Sequence, residues 1–195
     1  MMIQVGGPEY QISAAHFLAT PNFIEPLHGH NYLVAVELDF PRLSNGMAAD
    51  FRSVRSCLLA TIGLFNHKVL LAEQNPCYTL RPNLARQEME VTFNQPSRPQ
   101  ARRYIFPLED VLSIPFSDTT TEFLLTMVQD KFNAYWNHHE SNVYNSLKTT
   151  LEEAPGRAVS AIWQRPCSAM VDAGVAQGHF AWPHGDLVKD ELISD

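Results

Sequence analysis

Two stretches, Tyr10-Gln11-Ile12-Ser13-Ala14-Ala15-His16-Phe17 and His28-Gly29-His30-Asn31-Tyr32, decide how this chain folds. Residues two apart on a β-strand face the same way, so a strand through the second stretch presents His28 and His30 to one point, with Gly29 keeping the space between them open. The first stretch reads as the neighbouring strand, and its His16 brings a third nitrogen from across the ladder. Three neutral imidazoles form a borderline-soft donor set that suits Zn2+, and with no fourth protein ligand in view the ion keeps a position for water or substrate. A His-x-His pair alone is weak in a chain with eight histidines. The third, strand-borne histidine makes a metal site of His16, His28 and His30 the expectation.

Outward from these strands, the loop over 19–27 carries Pro21 and Pro26, which prevent regular pairing. Alternation resumes over 32–40, with Val34, Val36, Leu38 and Phe40 on one face and Leu33, Ala35, Glu37 and Asp39 on the other. Ser44-Asn45-Gly46 reads as a turn. Asp50 caps a helix predicted over about 51–64, whose buried stripe is Val54, Leu58, Leu59 and Ile62. A second helix starts from a capping-box pattern at Thr119 and Glu122 and carries Leu124, Met127, Val128, Phe132, Tyr135 and Trp136 at helical spacing. It ends near Asn137-His138-His139, where histidines suit the helix dipole.

Between the helices, residues of about 74–115 form an insertion. Within it Met89-Glu90-Val91-Thr92-Phe93-Asn94 and Arg102-Arg103-Tyr104-Ile105-Phe106 alternate as a β-hairpin. Residues 145–153 and 157–163, joined around Ala154-Pro155-Gly156, read as a final strand pair. The order strand, strand, helix, insertion, helix, strand, strand implies a single α+β domain over 1–163 with an antiparallel sheet. A C-terminal extension over 164–195 is expected to wrap the surface or join a subunit contact.

Composition narrows the function classes. At 195 residues, 45% hydrophobic and 18% charged, the chain suits one soluble domain with a substantial core. A net charge of −7 argues against general nucleic-acid binding, and no apolar run approaches bilayer-spanning length. The start Met1-Met2-Ile3-Gln4-Val5 has neither a basic region nor an apolar signal core, so a cytoplasmic location is expected. Cys57, Cys77 and Cys167 are scattered, with no Cys-x-x-Cys, and indicate neither a disulfide framework nor a thiolate metal site. Cys57, beside Leu58 and Leu59, is expected in the core.

Ala14-Ala15-His16, His28-Gly29-His30-Asn31-Tyr32, Gly46-Met47 leading to Asp50-Phe51, Asn66-His67, Thr120-Thr121-Glu122 and a late strand-borne glutamate, in this order, resemble the 6-pyruvoyl-tetrahydropterin synthase and 6-carboxy-tetrahydropterin synthase family. The resemblance implies a tunnelling fold, ββααββ, with the hairpin as an insertion. It implies a homo-oligomer built on trimers, a hexamer, with active sites shared between neighbouring subunits, and Zn2+ held by His16, His28 and His30. The implied substrate is dihydroneopterin triphosphate, its pterin ring anchored by the late glutamate, for which Glu153 is chosen and Glu152 is the one-register alternative. Thr120, Thr121 and Glu122 become candidate pterin contacts; as residues alone they are the start of a helix.

Two positions depart from the family pattern. Where typical members carry a cysteine four positions before His-Gly-His, this chain has Ile24, which cannot move a proton. The adjacent Glu25 resembles a subgroup that replaces that cysteine with glutamate and removes the substrate side chain by carbon–carbon cleavage, yielding 6-hydroxymethyl-dihydropterin for the folate route. Asn66 stands where aspartate usually precedes the catalytic histidine, so His67 is expected to be the weaker base and Glu25 the main one. Outside the family frame, Glu25 reads as a solvated loop carboxylate.

The reading is therefore a zinc-dependent pterin lyase with Glu25 and His67 as catalytic groups. Its rivals are 6-pyruvoyl- or 6-carboxy-tetrahydropterin formation and a pterin-binding protein without turnover. A cupin-type metal site fits poorly, because Val34 and Ala35 occupy the positions of its glutamate. Arg81, Arg86, Arg98, Arg102 and Arg103 in the insertion read as a solvated hairpin, with a triphosphate clamp as the alternative.

Overall fold

The computed structural model describes residues 1–43, 46–94 and 102–166, and Met1–Arg165 forms one compact unit. The Ser44-Asn45 turn, Arg98, Cys167 and the extension beyond 166 lie outside the described residues. β1 (Met2–His16) pairs antiparallel with β4 (His28–Asp39), and between them β2 (Ala19–Thr20) and β3 (Phe23–Ile24) make a short ladder. The β1–β4 register shifts between Gly6 and Gln11 and then pairs Ile12 with Tyr32, Ala14 with His30 and His16 with His28. The irregularity sets which residues share a face.

α1 (Phe51–Phe65) begins at Asp50, whose carboxylate accepts the Arg52 N–H at 2.8 Å. Val54, Leu58 and Ile62 are buried as the spacing predicts. Leu59 is not: it is 41% exposed, and Cys57, Thr61 and Phe65 complete the buried face instead. A stripe drawn from four apolar residues had its axis turned too far toward Leu59.

The segment after α1 departs most from the sequence reading. β5 (Lys68–Ala72) lies parallel to β1, and the expected hairpin of β7 (Glu88–Phe93) and β8 (Arg103–Pro107) is extended by β6 (Tyr78–Asn83) into a three-stranded antiparallel sheet. β9 (Val111–Ile114) then returns to pair parallel with β5. β5 carries no alternation in its sequence because Leu70, Leu71 and Ala72 are all fully buried. β6 contains Pro82, which an edge strand accommodates.

α2 (Thr121–His139) is capped at Thr120, one residue later than the capping box implies, and makes no side-chain cap bond. β10 (Ser146–Ala154) and β11 (Arg157–Gln164) complete the main sheet, in the order β11-β10-β4-β1-β5-β9. The result is an α+β fold whose sheet is antiparallel except for the two pairings of β5. α1 packs on β1 and α2, and α2 packs on β10 and β11. Between them lie Ile12, Tyr32, Val34, Val36, Leu38, Leu147 and Leu151, each at most 1% exposed. Phe132 and Trp136 close the core, and the Trp136 indole N–H donates to the Asn142 carbonyl at 2.7 Å.

Adjacent Leu58 and Leu59 test this packing directly. Leu58→Ala should cost about 2–5 kcal/mol of unfolding free energy, and Leu59→Ala no more than about 0.5 kcal/mol, in denaturant titrations. Equal losses would contradict the helix orientation.

Candidate active site

The helix-facing side of β1 and β4 runs from the core to the strand ends, and there the apolar alternation Ile12, Tyr32 gives way to His16, His28 and His30. One ring nitrogen from each of the three lies within 4.8 Å of the others. The ring centroids are 4.6 Å apart for His16 and His28, 4.8 Å for His28 and His30, and 5.2 Å for His16 and His30. Gly29 has a different task from the one its spacing suggests. A Cβ there would meet the Ala14 carbonyl oxygen at 3.2 Å, so glycine permits the close approach of the two strands.

Two histidines are oriented from behind. His16 Nδ1 donates to the Thr119 carbonyl at 2.8 Å, and His28 Nδ1 to the Pro26 carbonyl at 3.0 Å. A carbonyl only accepts, so each contact fixes the proton on Nδ1 and leaves the lone pair on Nε2. Thr119 therefore serves His16 rather than the helix cap, and its hydroxyl donates to the Phe17 carbonyl at 2.9 Å. His30 Nε2 is buried without a hydrogen bond; its 3.2 Å approach to Glu153 Oε1 is not aligned as one. Three imidazoles whose ring nitrogens converge, two of them with the Nδ1 proton held from behind and the third buried without an aligned hydrogen bond, are the donor set of a metal ion, and these three residues fit one.

Burial holds the His16 pKa below its ordinary 6.5; the Thr119 carbonyl opposes the shift, and the neighbouring His28 and His30 add to it. Burial also raises the Tyr32 hydroxyl pKa, with Glu153 adding to the shift. That hydroxyl lies 3.4 Å from His16 Nε2. Tyr32 is thus a further site residue, and the alternation His28, His30, Tyr32 is the signal in the sequence that puts it on the histidine face.

Carboxylates flank the cluster. Glu25 Oε2 lies 3.9 Å from His28 Nδ1 and accepts the Leu18 N–H at 3.2 Å, while Ile24 beside it is buried at 7% exposure. Glu153 Oε2 accepts the Thr121 hydroxyl at 3.0 Å, and its Oε1 reaches His30. Glu152 points into the β10–β11 turn, accepting the Gly156 N–H at 2.9 Å. A register irregularity between Glu152 and Ala154 helps separate the two. Of the α2 candidates, Thr120 caps the helix, Thr121 joins the cluster through Glu153, and the Glu122 side chain is exposed.

His67 is not gathered with these groups. It has a left-handed backbone, φ 59°, donates its N–H to the Ser13 carbonyl at 2.7 Å, and lines an open cleft of about 520 Å³ with Ser13, Asn31, Lys68 and Asp110. Ser13 and Asn31 are a registered pair that alternates with the histidine-bearing positions, so their side chains lie on the other face of the sheet. Asn66 Oδ1 accepts the Ser13 N–H at 2.8 Å, so the amide anchors β1 rather than orienting the imidazole.

A family model described as 6-pyruvoyl tetrahydropterin synthase matches residues 8–161. The chain belongs to the 6-pyruvoyl tetrahydropterin synthase family. It is accordingly a pterin-processing lyase of that type, with the tunnelling fold. Among solved structures it is similar to the 6-pyruvoyl tetrahydropterin synthase of Plasmodium falciparum, at TM-score 0.73 and 18% identity, over 85% of this chain and 98% of that one. The Plasmodium vivax enzyme is similar at TM-score 0.69 and 20% identity over the same shares, as is its variant with a catalytic glutamate changed to alanine. No curated protein matches the chain in sequence.

The His16 shift gives a pH signature. Because its folded pKa lies below 6.5, the unfolded chain binds the proton first as pH falls. Stability in the metal-free protein is therefore full above about pH 6.5 and is lost as pH falls from there toward the folded pKa. Thermal unfolding followed from pH 8 to pH 5 should show Tm falling below about 6.5, less steeply in His16→Gln. Superimposable profiles would contradict a buried neutral His16.

Proposed function

We propose that this chain is a zinc-dependent lyase that cleaves the side chain of 7,8-dihydroneopterin triphosphate to give 6-hydroxymethyl-7,8-dihydropterin. The observation that carries the reading is the pairing of Glu25 with Ile24: the carboxylate lies beside His28 while the isoleucine turns into the core. A glutamate is likewise described as a catalytic residue in the Plasmodium vivax relative. His16, His28 and His30 would hold the Zn2+, which supplies Lewis acidity to the substrate's hydroxyls.

The protein groups divide the remaining work. Glu153, fixed by Thr121, accepts paired N–H bonds from the guanidine-like edge of the pterin and sets the ring's orientation. Glu25 takes the proton from the hydroxyl farther from the ring. The bond between the two hydroxyl-bearing carbons then breaks, its electrons passing into the ring imine, and a triphosphate-bearing hydroxyaldehyde leaves. Glu25 returns the proton to the carbon left on the ring, so one carboxylate serves both steps. Thr120 and Glu122 lie further out along the ligand, at the start of α2.

His67, on the other face of the sheet, serves the site of a neighbouring copy in a cytoplasmic, trimer-based hexamer. β9 and β11 form the edges of the main sheet, and edge strands call for partners. Among the described residues no helix is long and apolar enough to cross a membrane.

Incubation with dihydroneopterin triphosphate, with products identified by mass, tests the reading. The parent should release 6-hydroxymethyl-dihydropterin, and Glu25→Gln should slow release by about 10²–10⁴-fold with zinc retained. A 6-pyruvoyl or 6-carboxy product would transfer the chain to the synthase alternatives. Pterin affinity without product would make it a binding protein.

A further inference from the structure

The inserted sheet touches the site's loop at two places. Phe17, directly after His16, packs its ring against Tyr78 of β6, Phe93 of β7 and Tyr104 of β8, with centroids 5.3, 5.1 and 5.9 Å away. Phe17 is 1% exposed, so this aromatic cluster is a true core linking insertion to site. The second contact is polar. Arg102, just ahead of β8, donates from Nη1 to the main-chain carbonyl of Glu25 at 3.0 Å.

Among the described residues the other hydrogen bonds of Glu25 go to Leu18: its N–H donates to the Leu18 carbonyl at 2.9 Å, and its Oε2 accepts the Leu18 N–H at 3.2 Å. Both bonds lie inside the same loop, which Pro21 and Pro26 keep out of the main ladder. They hold Glu25 to Leu18, while the far end of the loop is tied to the rest of the protein through Ala19, whose carbonyl accepts the Asn75 side-chain N–H at 3.0 Å. Arg102 adds a fixed point at Glu25 itself, at the histidine end of the loop. Its own carbonyl accepts the Phe93 N–H at 3.3 Å, so the residue is seated on β7 at the aromatic cluster. The guanidinium is thus referenced to the strand that packs on Phe17.

We propose that Arg102 is a positioning residue, a strut from the inserted sheet that fixes the Glu25 backbone relative to the histidine cluster. The proposal rests on the pterin-lyase reading for the consequence to turnover, and on the hydrogen bond alone for the consequence to the loop. It gives the insertion a task other than a triphosphate clamp, since Arg102 spends a donor on a carbonyl. Arg103 points elsewhere, to Glu90 Oε1 at 2.8 Å, and provides an internal control at the adjacent position.

The test uses the full-length, zinc-loaded protein and its Arg102→Ala, Arg102→Lys and Arg103→Ala variants. Hydrogen exchange over residues 18–25 reads the loop without requiring turnover, and steady-state kinetics with dihydroneopterin triphosphate read the chemistry. Arg102→Ala should speed exchange at this loop by about tenfold and lower kcat by about tenfold, with KM within about twofold and zinc content unchanged. Arg102→Lys should recover part of both, and Arg103→Ala should match the parent. Unchanged exchange in Arg102→Ala, or equal acceleration in Arg103→Ala, would overturn the strut. A parent protein that turns over no pterin would defeat the lyase reading, while the exchange comparison would still decide the role of Arg102.

Discussion

The antiparallel register of β1 on β4 is the constraint on which the site depends. Past the irregularity between Gly6 and Gln11, it places Ile12, Ala14 and His16 opposite Tyr32, His30 and His28. One face then carries the core at one end and three imidazoles at the other. A slip of one residue would turn every one of these side chains to the other side, burying Ser13 and Asn31 and exposing the histidines. The same apolar packing that fixes the register, with Ile12 and Tyr32 fully buried, therefore fixes the donor geometry. Assembling the cluster needs no separate device.

What the strands cannot supply is orientation of the rings, and that comes from elements distant in sequence. The Thr119 carbonyl, at the approach to α2, and the Pro26 carbonyl each hold an Nδ1 proton, so two imidazoles offer Nε2 inward. Burial of His16 lowers its pKa and so favours the neutral form that a ligand needs. Of the ring nitrogens, His30 Nε2 is buried with no hydrogen bond among the described residues, 3.2 Å from Glu153 Oε1. An unpaired buried polar atom costs about 1–3 kcal/mol, a cost a bound cation would remove. Glu25 and Glu153 stand on either side, each tied to a neighbour, so the cluster is framed by negative charge.

Period-two reading made the histidine cluster legible, because His28 and His30 are spaced as strand neighbours and His16 ends an alternating run. The choice of Glu153 over Glu152 came from the resemblance instead, and in the structure Glu153 follows the buried Leu147, Thr149 and Leu151 at strand spacing. The parallel strands β5 and β9 were hidden for the converse reason: strands buried on both sides carry no alternation. Thr119 was read as a cap because its spacing to Glu122 fits one, yet the carbonyl it gives to His16 is a tertiary contact that no local pattern encodes. Arg102 and His67 belong to the same class. Their partners, Glu25 and Ser13, are distant in sequence, and composition could register only a basic insertion and a lone histidine.

The account stands on the claim that the cluster is a metal site, and titration of metal-free protein with zinc measures that most directly. Calorimetry on the parent should give about one zinc per subunit, and His30→Ala should lose that binding while keeping its fold by circular dichroism. Full zinc stoichiometry in His30→Ala, or no binding by the parent, would contradict it.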